Sequence, residues 1–498
     1  MLRRCFQSSK RAPALRLYQT QRVHGCSVQH GNKVTQSSNN IYKQRKVSKR
    51  PLDGLESVFH EYHKTGIGFS YLLTPITSKI PVEEEPLCEA LTMVSYKQPL
   101  LRATITETPE FKYFECMDGR TSFGFSILDR DINDMEVITE EIFANTKFDS
   151  DDGPLWKAVL IPGKFNSSSK SYTGGLALAI SHAIANGSSL TVVLKQTLGY
   201  LENITKGTAP NVEDIPRLPL YPSSATLLSH KLQKLSTSTS CHQNADYINP
   251  VLSQFPTIEN NPQKSEPKTK VLIRTMPPDQ CVSLLQQCRK NNSTVTGAIL
   301  AACHYSFSGL LKTNQFCATT TNDVTCLTAV DKNHRPRLPA DYVACHYGSL
   351  TYDVTLPSPN EDFWKVAQSL TQSIHNDISH DNHLEFVSKV ETNSKGFVKQ
   401  VLRQGSLKLA SRQKSSLTLS NVGQFFTDNT PQNLFHPQGF IVGTPIHKRF
   451  GTFGNYIIAL NGAINHMFCY DGSIISRKNA QRYSDGVWDA LELSLCDI

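Results

Sequence analysis

The stretch Ser181-His-Ala-Ile-Ala-Asn-Gly-Ser-Ser-Leu190 decides how this chain is read. An apolar run, Gly174-Gly-Leu-Ala-Leu-Ala-Ile180, precedes it, and a helix-like segment, Ser188–Leu201, follows. A short apolar run bounded by turn residues reads as a buried strand. His182 is therefore expected where that strand ends and the chain turns toward a helix. A strand end of this kind holds a side chain at the edge of a cavity, and Gly187 lets the backbone turn without steric cost. An imidazole of near-neutral pKa in such a place suits general-base work.

The chain has 498 residues, enough for several ordinary domains or one large two-lobed enzyme. Hydrophobic residues make up 39% and charged residues 19%, within the globular range. No apolar run of about 18 residues is present, so no membrane span is expected. Val295–Leu311, interrupted by His304 and Tyr305, reads as a buried helix.

The net charge of +8 is unevenly spread. Residues 1–52 hold 12 Lys/Arg and no acid, whereas the rest carries 39 basic and 43 acidic side chains, a balance of −4. No basic patch interleaved with aromatics occurs, so no nucleic-acid partner is expected. The tail, opening Met1-Leu-Arg-Arg-Cys-Phe-Gln-Ser-Ser-Lys-Arg11, has the Arg-rich, acid-free composition of a mitochondrial transit peptide. A disordered basic tail on a cytoplasmic enzyme is the alternative. The 13 Cys are scattered, with no Cys-x-x-Cys and no zinc-type spacing, which points to reduced thiols and no structural metal. Asn186-Gly-Ser188 is formally a glycosylation sequon, and a glycan there would block the proposed site.

Four regions follow from composition: a basic tail (1–52), a first half (53–202), a Pro/Ser/Thr/Asn-rich crossover linker (203–268) and a second half (269–498). In the first half, Val82–Tyr96 reads as a helix with acids in its first turn. Gln98–Ile105 leads into a strand, Phe111–Cys116 reads as its partner across a turn, and Pro154–Ile161 reads as another strand. Ala225–Leu235 reads as a short helix within the linker. The second half opens with a strand, Thr269–Met276, and helices at Pro278–Lys290 and Ser293–Cys303. Strands near Cys317–Val330 and Tyr347–Val354 flank Asp331-Lys-Asn-His-Arg-Pro-Arg337, and a helix covers Asp362–Ile378. Strands at Leu417–Val422, Gly439–Val442, Asn455–Ala463 and Asn465–Cys469 and a helix over Lys478–Leu493 complete it.

His182-x-x-x-Asn186-Gly187 resembles the His-x-x-x-Asp-Gly signature of the chloramphenicol-acetyltransferase-like superfamily of acyltransferases, which includes alcohol acetyltransferases and condensation domains. Pro99-Leu-Leu-Arg102, Pro154-Leu-Trp156, Ser293–Ala302 and Asp331–Leu338 resemble further family segments in the right order, so the likeness covers residues 53–498. The resemblance implies an α+β fold, an α/β sandwich, of two similar halves with an active-site tunnel between them. It implies acyl transfer from a thioester, acyl-CoA as co-substrate, to a small alcohol or amine, by a monomer with no bound cofactor. His182 would be the general base. Ser420, Asn421 or Thr418, in a stretch similar to the family's Ser-Asn-x-Gly, would face the tunnel and donate to the oxyanion.

The family usually has Asp where this chain has Asn186. By resemblance its partner is an Arg, here Arg335, and loss of the charge would cost a charge-assisted bond of roughly 1.5–3 kcal/mol. Ser181 replaces a His found in many relatives. A condensation-type enzyme fed by a carrier-protein thioester and a non-catalytic ligand-binding homologue are the competing readings. No carrier domain lies in this sequence, which favours CoA. Cys303-His304 and His466 read as structural, and His447-Lys-Arg449 as a solvated basic turn, with CoA phosphates as the alternative partner.

Overall fold

A computed structural model describes residues 47–64, 66–117, 123–148, 154–236, 269–311, 317–324, 338–346, 348–393, 396, 416–425, 433–446 and 452–495. In chain order the elements are β1 (Val47–Pro51), α1 (Gly54–Lys64), β2 (Phe69–Ser78), α2 (Glu84–Lys97), β3 (Ala103–Glu107), β4 (Lys112–Met117), β5 (Gly124–Ile127), α3 (Met135–Asn145), β6 (Trp156–Asn166), β7 (Ser171–Ser181) and α4 (Gly187–Thr205). Two short helices, α5 (Ser224–Leu227) and α6 (Ser229–Ser236), follow in the linker. The second half contains β8 (Thr269–Met276), α7 (Pro278–Lys290), α8 (Val295–Leu311), β9 (Cys317–Val324), β10 (Gly348–Thr355), α9 (Phe363–Ser379) and α10 (Glu385–Thr392). Then come β11 (Leu417–Phe425), β12 (Phe435–Pro437), β13 (Ile441–Gly443), β14 (Phe453–Leu460), β15 (Ala463–Asp471) and α11 (Arg477–Leu495).

Each half is built on a six-stranded sheet. The first runs β12-β2-β7-β6-β5, with β13 also on β2, and the second runs β10-β9-β11-β14-β15-β8. A three-stranded sheet, β1-β4-β3, lies apart. β7 is buried along Gly174–Ser181 because β2 and β6 flank it and helices cover the sheet. Burial on both faces is why its sequence is a continuous apolar run rather than an alternating one.

The two halves share one core. Side chains of β7 and α4 pack in a single cluster with Val271, Val422, Ile441, Val442, Tyr456, Ile458, Met467 and Cys469 of the second half. Strand alternation explains the division of labour. On β11 and β14, Leu417, Leu419, Phe453 and Ile457 turn toward the second half's own helices, whereas Tyr456 and Ile458 turn toward the first half. By β11–β14 register Ser420 pairs with Tyr456, so Thr418 and Ser420 lie on the face turned to the first half.

Two devices tie the halves together. First, β12 and β13 leave the second half and pair with β2, leaving a gap opposite Thr74 and Pro75, where a proline without an N–H is tolerated. Second, α3 covers the edge strand β8. Glu136 accepts from the backbone N–H of Ile273 (3.0 Å) and Glu140 from that of Val271 (3.1 Å), while Lys270 and Arg477 neutralise the two carboxylates. An edge strand's unpaired donors are thereby satisfied.

The ordered body begins earlier than residue 53. β1 lies within the tail expected to be unstructured and pairs with β4 from Val47 to Pro51. Its basic residues hid it. Arg50 forms a bidentate ion pair with Glu56 at 2.7 Å, so a charge that reads as tail is a buried structural partner. Glu56 also completes a capping box with Asp53, each backbone N–H donating to the other's carboxylate (3.0 and 2.8 Å). Among the described residues no single helix is long and apolar enough to cross a membrane. Helix α8 is core, with Gly297–His304 all buried.

Candidate active site

His182 sits in the turn that leaves β7. Its backbone N–H donates to the Gly68 carbonyl (2.8 Å), and Ser181 N–H donates to Leu155 O (2.8 Å), so both neighbouring strands fix the turn. Ile184 N–H and Ala185 N–H close back on Ser181 O (3.0 and 3.2 Å). Ala183, Ile184 and Ala185 are fully buried, but His182 remains half-buried. The Phe59 ring of α1 stacks on the imidazole, centroids 4.1 Å apart and planes 12° from parallel. Burial pushes the His182 pKa down to about 4, against a small opposing effect of a hydrogen bond to its own backbone. The imidazole is therefore neutral at physiological pH, and the same burial that keeps it neutral lowers its basicity.

Asn186 caps α4 in extended conformation (φ −113°, ψ −174°), its Oδ1 accepting from Ser189 N–H (3.0 Å) and from the hydroxyls of Ser188 and Ser189 (both 2.9 Å). Its Nδ2 donates across the halves to the His346 carbonyl at 2.7 Å. Arg335 lies outside the described residues; the partner of the Asn186 amide is this backbone oxygen. Ser189 adds to the same seam: its single hydroxyl proton is shared between Asn186 Oδ1 and Ala344 O (3.0 Å), and its oxygen accepts from Ala344 N–H (3.2 Å). Ser224 of the linker bonds Cys345 O and the His346 ring.

Asparagine is thus the residue this seam requires, because an ionised aspartate has no donor for the His346 carbonyl. Asn186→Asp is expected to cost about 2–3 kcal/mol at pH 8, the penalty of an unpaired buried acceptor facing a charge. Urea unfolding of the purified variant measures it; an unchanged midpoint would refute the assignment. The sequon at Asn186 has no room for a glycan, since the residue is buried and both ends of its amide are engaged.

Gly187 makes a further contact with the other half. A Cβ there would lie 2.9 Å from Val422 Cγ2, too close for a side chain, so Val422 of the Ser420-Asn-Val-Gly423 stretch rests directly on the His182 motif's glycine. Gly423 takes φ +103°, a conformation glycine tolerates, at the irregularity in β11 between Asn421 and Gln424. The Asn421 amide bonds Thr296 Oγ1 of α8 (3.1 Å) and accepts from Gly423 N–H (3.0 Å), which makes it a brace for the bulge. Ser420 and Thr418 stay partly exposed on the face turned to the first half.

The remaining candidates are structural. Burial pushes the Cys303 thiol up to about 12 and the His304 imidazole down to about 4, so this pair supplies no nucleophile. The ring of His466 bonds Asn455 Oδ1 (3.0 Å) inside the second half. His447-Lys-Arg449 lies outside the described residues. Phe59 escaped the sequence reading. The signal was present in Asp53-x-x-Glu56, a capping box, overlapped by Leu55, Val58, Phe59 and Tyr62 at helical spacing.

With this geometry in hand, comparison with solved structures is decisive for the fold. The chain is similar to trichothecene 15-O-acetyltransferase from Fusarium sporotrichioides, at 10% identity and TM-score 0.64 over 90% of this chain and 95% of that one. It is similar to the condensation domain of the Monacolin K polyketide synthase, at 13% identity and TM-score 0.63 over 90% and 98%. The chain has the two-lobed fold of condensation domains and chloramphenicol-acetyltransferase-like acyltransferases. Polyketide synthase associated protein 5 from Mycobacterium tuberculosis also matches, at 13% identity and TM-score 0.60 over 90% of this chain and 98% of that one. No family model matches the sequence, and no curated relative matches it. At these identities the likeness is one of fold, and the chemistry rests on the residues themselves.

Proposed function

We propose that this protein is an acyltransferase that moves an acyl group from a thioester, acyl-CoA, to a small alcohol or amine, with His182 as general base. The observation that carries the reading is the placement of one neutral, half-buried imidazole at the strand exit where Val422 of the second half meets Gly187 of the first. The neighbours of like fold, an acetyltransferase and condensation domains, support acyl transfer as the reaction class.

Neutral His182 takes the proton of the acceptor hydroxyl or amine as that group attacks the thioester carbonyl. A C–O or C–N bond forms and the carbonyl π pair moves to oxygen. The Ser420 hydroxyl is the proposed donor to that oxyanion. Collapse breaks the C–S bond, and the leaving thiolate takes the proton back from the His182 imidazolium. No acyl-enzyme is required, because both substrates meet in one site and positioning supplies much of the acceleration. Asn186, Gly187 and Ser189 hold the two halves in register; they act on the reaction through the site's geometry.

The test is a free-thiol release assay with acyl-CoAs of several chain lengths against pools of alcohols and amines, run beside the same acyl groups on a phosphopantetheinyl carrier protein. Acceptor-dependent release from acyl-CoA is the expected result. Release only from the carrier thioester would replace CoA by a carrier as donor, the condensation-type reading favoured by the condensation-domain neighbours. No acceptor-dependent release from either donor would overturn the proposal in favour of a binding protein.

A further inference from the structure

We propose that Phe59 is the positioning residue that holds the His182 imidazole in its working orientation, an inference that rests on His182 acting as the base.

The two rings are nearly parallel, with centroids 4.1 Å apart, and Phe59 itself is only 7% exposed. A ring stacked this closely removes one face of the imidazole from water and restricts its rotation about χ2, a torsion that is otherwise broad for histidine. Phe59 cannot retreat, because the helix carrying it is pinned at both ends. At the N-terminus of α1, Gly54 N–H bonds Glu391 of α10, and a Cβ on Gly54 would lie 2.8 Å from the Val390 carbonyl. At the other end Gly68 lies against the last turn: a Cβ there would run into the backbone N of His63 and lie 2.7 Å from the carbonyl oxygen of Phe59 itself.

Gly68 is also the residue whose carbonyl receives the His182 backbone N–H at 2.8 Å. Beside the ring's hydrogen bond to its own backbone, two neighbours hold His182, Gly68 at the backbone and Phe59 at the ring, and those two are in backbone contact with each other. The three residues form one closed unit, and α1 links it to α10 of the second half. A shift of the helix by a fraction of an ångström reaches the imidazole directly, and displacement of a catalytic group by about 1 Å is enough to cost as much as 10²-fold in rate.

The test uses the full chain labelled with ¹³C-histidine, the His182 signal being identified by its loss in His182→Gln. Phe59→Leu keeps an apolar side chain but removes the flat face. Its expected result, read at pH 7.5 where the protein is folded, is a His182 ring order parameter from ¹³C relaxation that falls as the ring gains freedom about χ2, with kcat lowered about tenfold and KM within about twofold. Phe59→Tyr, which restores the face, is expected to return both toward wild type. Gly68→Ala, which pushes α1 away, should act in the same direction as Phe59→Leu. A folded Phe59→Leu protein with unchanged ring order and unchanged kcat would overturn the proposal while leaving His182 as the base. If the wild type transfers no acyl group from any donor, the acyltransferase reading fails by itself. The relaxation arm then decides alone: a more mobile ring in Phe59→Leu supports Phe59 as holder of the ring, and an equally ordered ring overturns it.

Discussion

Replacing His182 by alanine is expected to lower acyl transfer about 10²–10⁴-fold, the range a true general base contributes. The loss should be in kcat, since the imidazole acts on the proton that moves in the transition state and holds neither substrate in place. The protein should remain folded. His182 is half-buried at a turn, and that turn is held by backbone hydrogen bonds from Ser181, Ile184 and Ala185 that do not involve its side chain. Residual activity above the uncatalysed rate is expected, because positioning of donor and acceptor survives the substitution. A more acidic acceptor alcohol should narrow the gap between variant and wild type, since its proton needs less help to leave. Initial rates of thiol release with two alcohols of different acidity check both statements. Equal rates in wild type and His182→Ala would assign the base elsewhere.

How much of this was legible in the sequence depends on what each residue's burial is for. The strand and helix around His182 were readable because Gly174–Ile180 is apolar without interruption and Asn186 supplies a cap. The bounds Thr269–Met276 and Pro278–Lys290 emerge as expected, since Pro277-Pro278 separates a strand from a helix without ambiguity. Strand β2 did not stand out. Ser70, Thr74, Pro75, Thr77 and Ser78 break its apolar run, yet it lies between β7 and the crossing strands β12 and β13. Helix α3 was missed for a related reason. Glu136 and Glu140, which look like solvated charges, are spent on the edge of β8 and on Lys270 and Arg477.

Periodicity tells whether a segment is a strand but not which sheet it joins, so the passage of Phe435–Pro437 and Ile441–Gly443 into the first half's sheet carried no local signal. At the site, His182, Gly187 and the Ser420-Asn-Val-Gly423 stretch were legible as motif. The contact of Gly187 with Val422 was foreseeable only through the fold. The partner of Asn186 was invisible, because a backbone carbonyl, here that of His346, has no residue-type signature.

Acidification is expected to unfold this protein near pH 5, just above the range where ordinary carboxylates titrate. Seven of its 16 histidines are held low by burial: His63, His182, His304, His346 and His383 at about 4, and His60 and His466 at about 3. Neighbouring cations add to burial at His60, where Lys112 and Lys64 approach, and at His346, where Arg50 does. Each folded value lies below the ordinary 6.5, so below pH 6.5 the unfolded chain binds more protons than the folded one. The stability these neutral imidazoles confer is complete above pH 6.5 and is lost as pH falls from there toward 4. Each contributes up to about 1.4 kcal/mol per pH unit in that window. Asp53, Glu56 and Glu391, whose carboxyls burial pushes up, Glu56 to about 7, take up protons first in the folded state and offset part of the loss. Several kcal/mol nevertheless disappear between pH 7 and pH 5, a large share of the 5–15 kcal/mol typical of a folded protein. Circular dichroism across pH 8 to 3.5 measures the midpoint, and a fold still intact at pH 4 would contradict the account. His466→Gln separates this cause from general charge repulsion: the amide can still donate to Asn455 Oδ1 but cannot titrate, so the midpoint should move to lower pH.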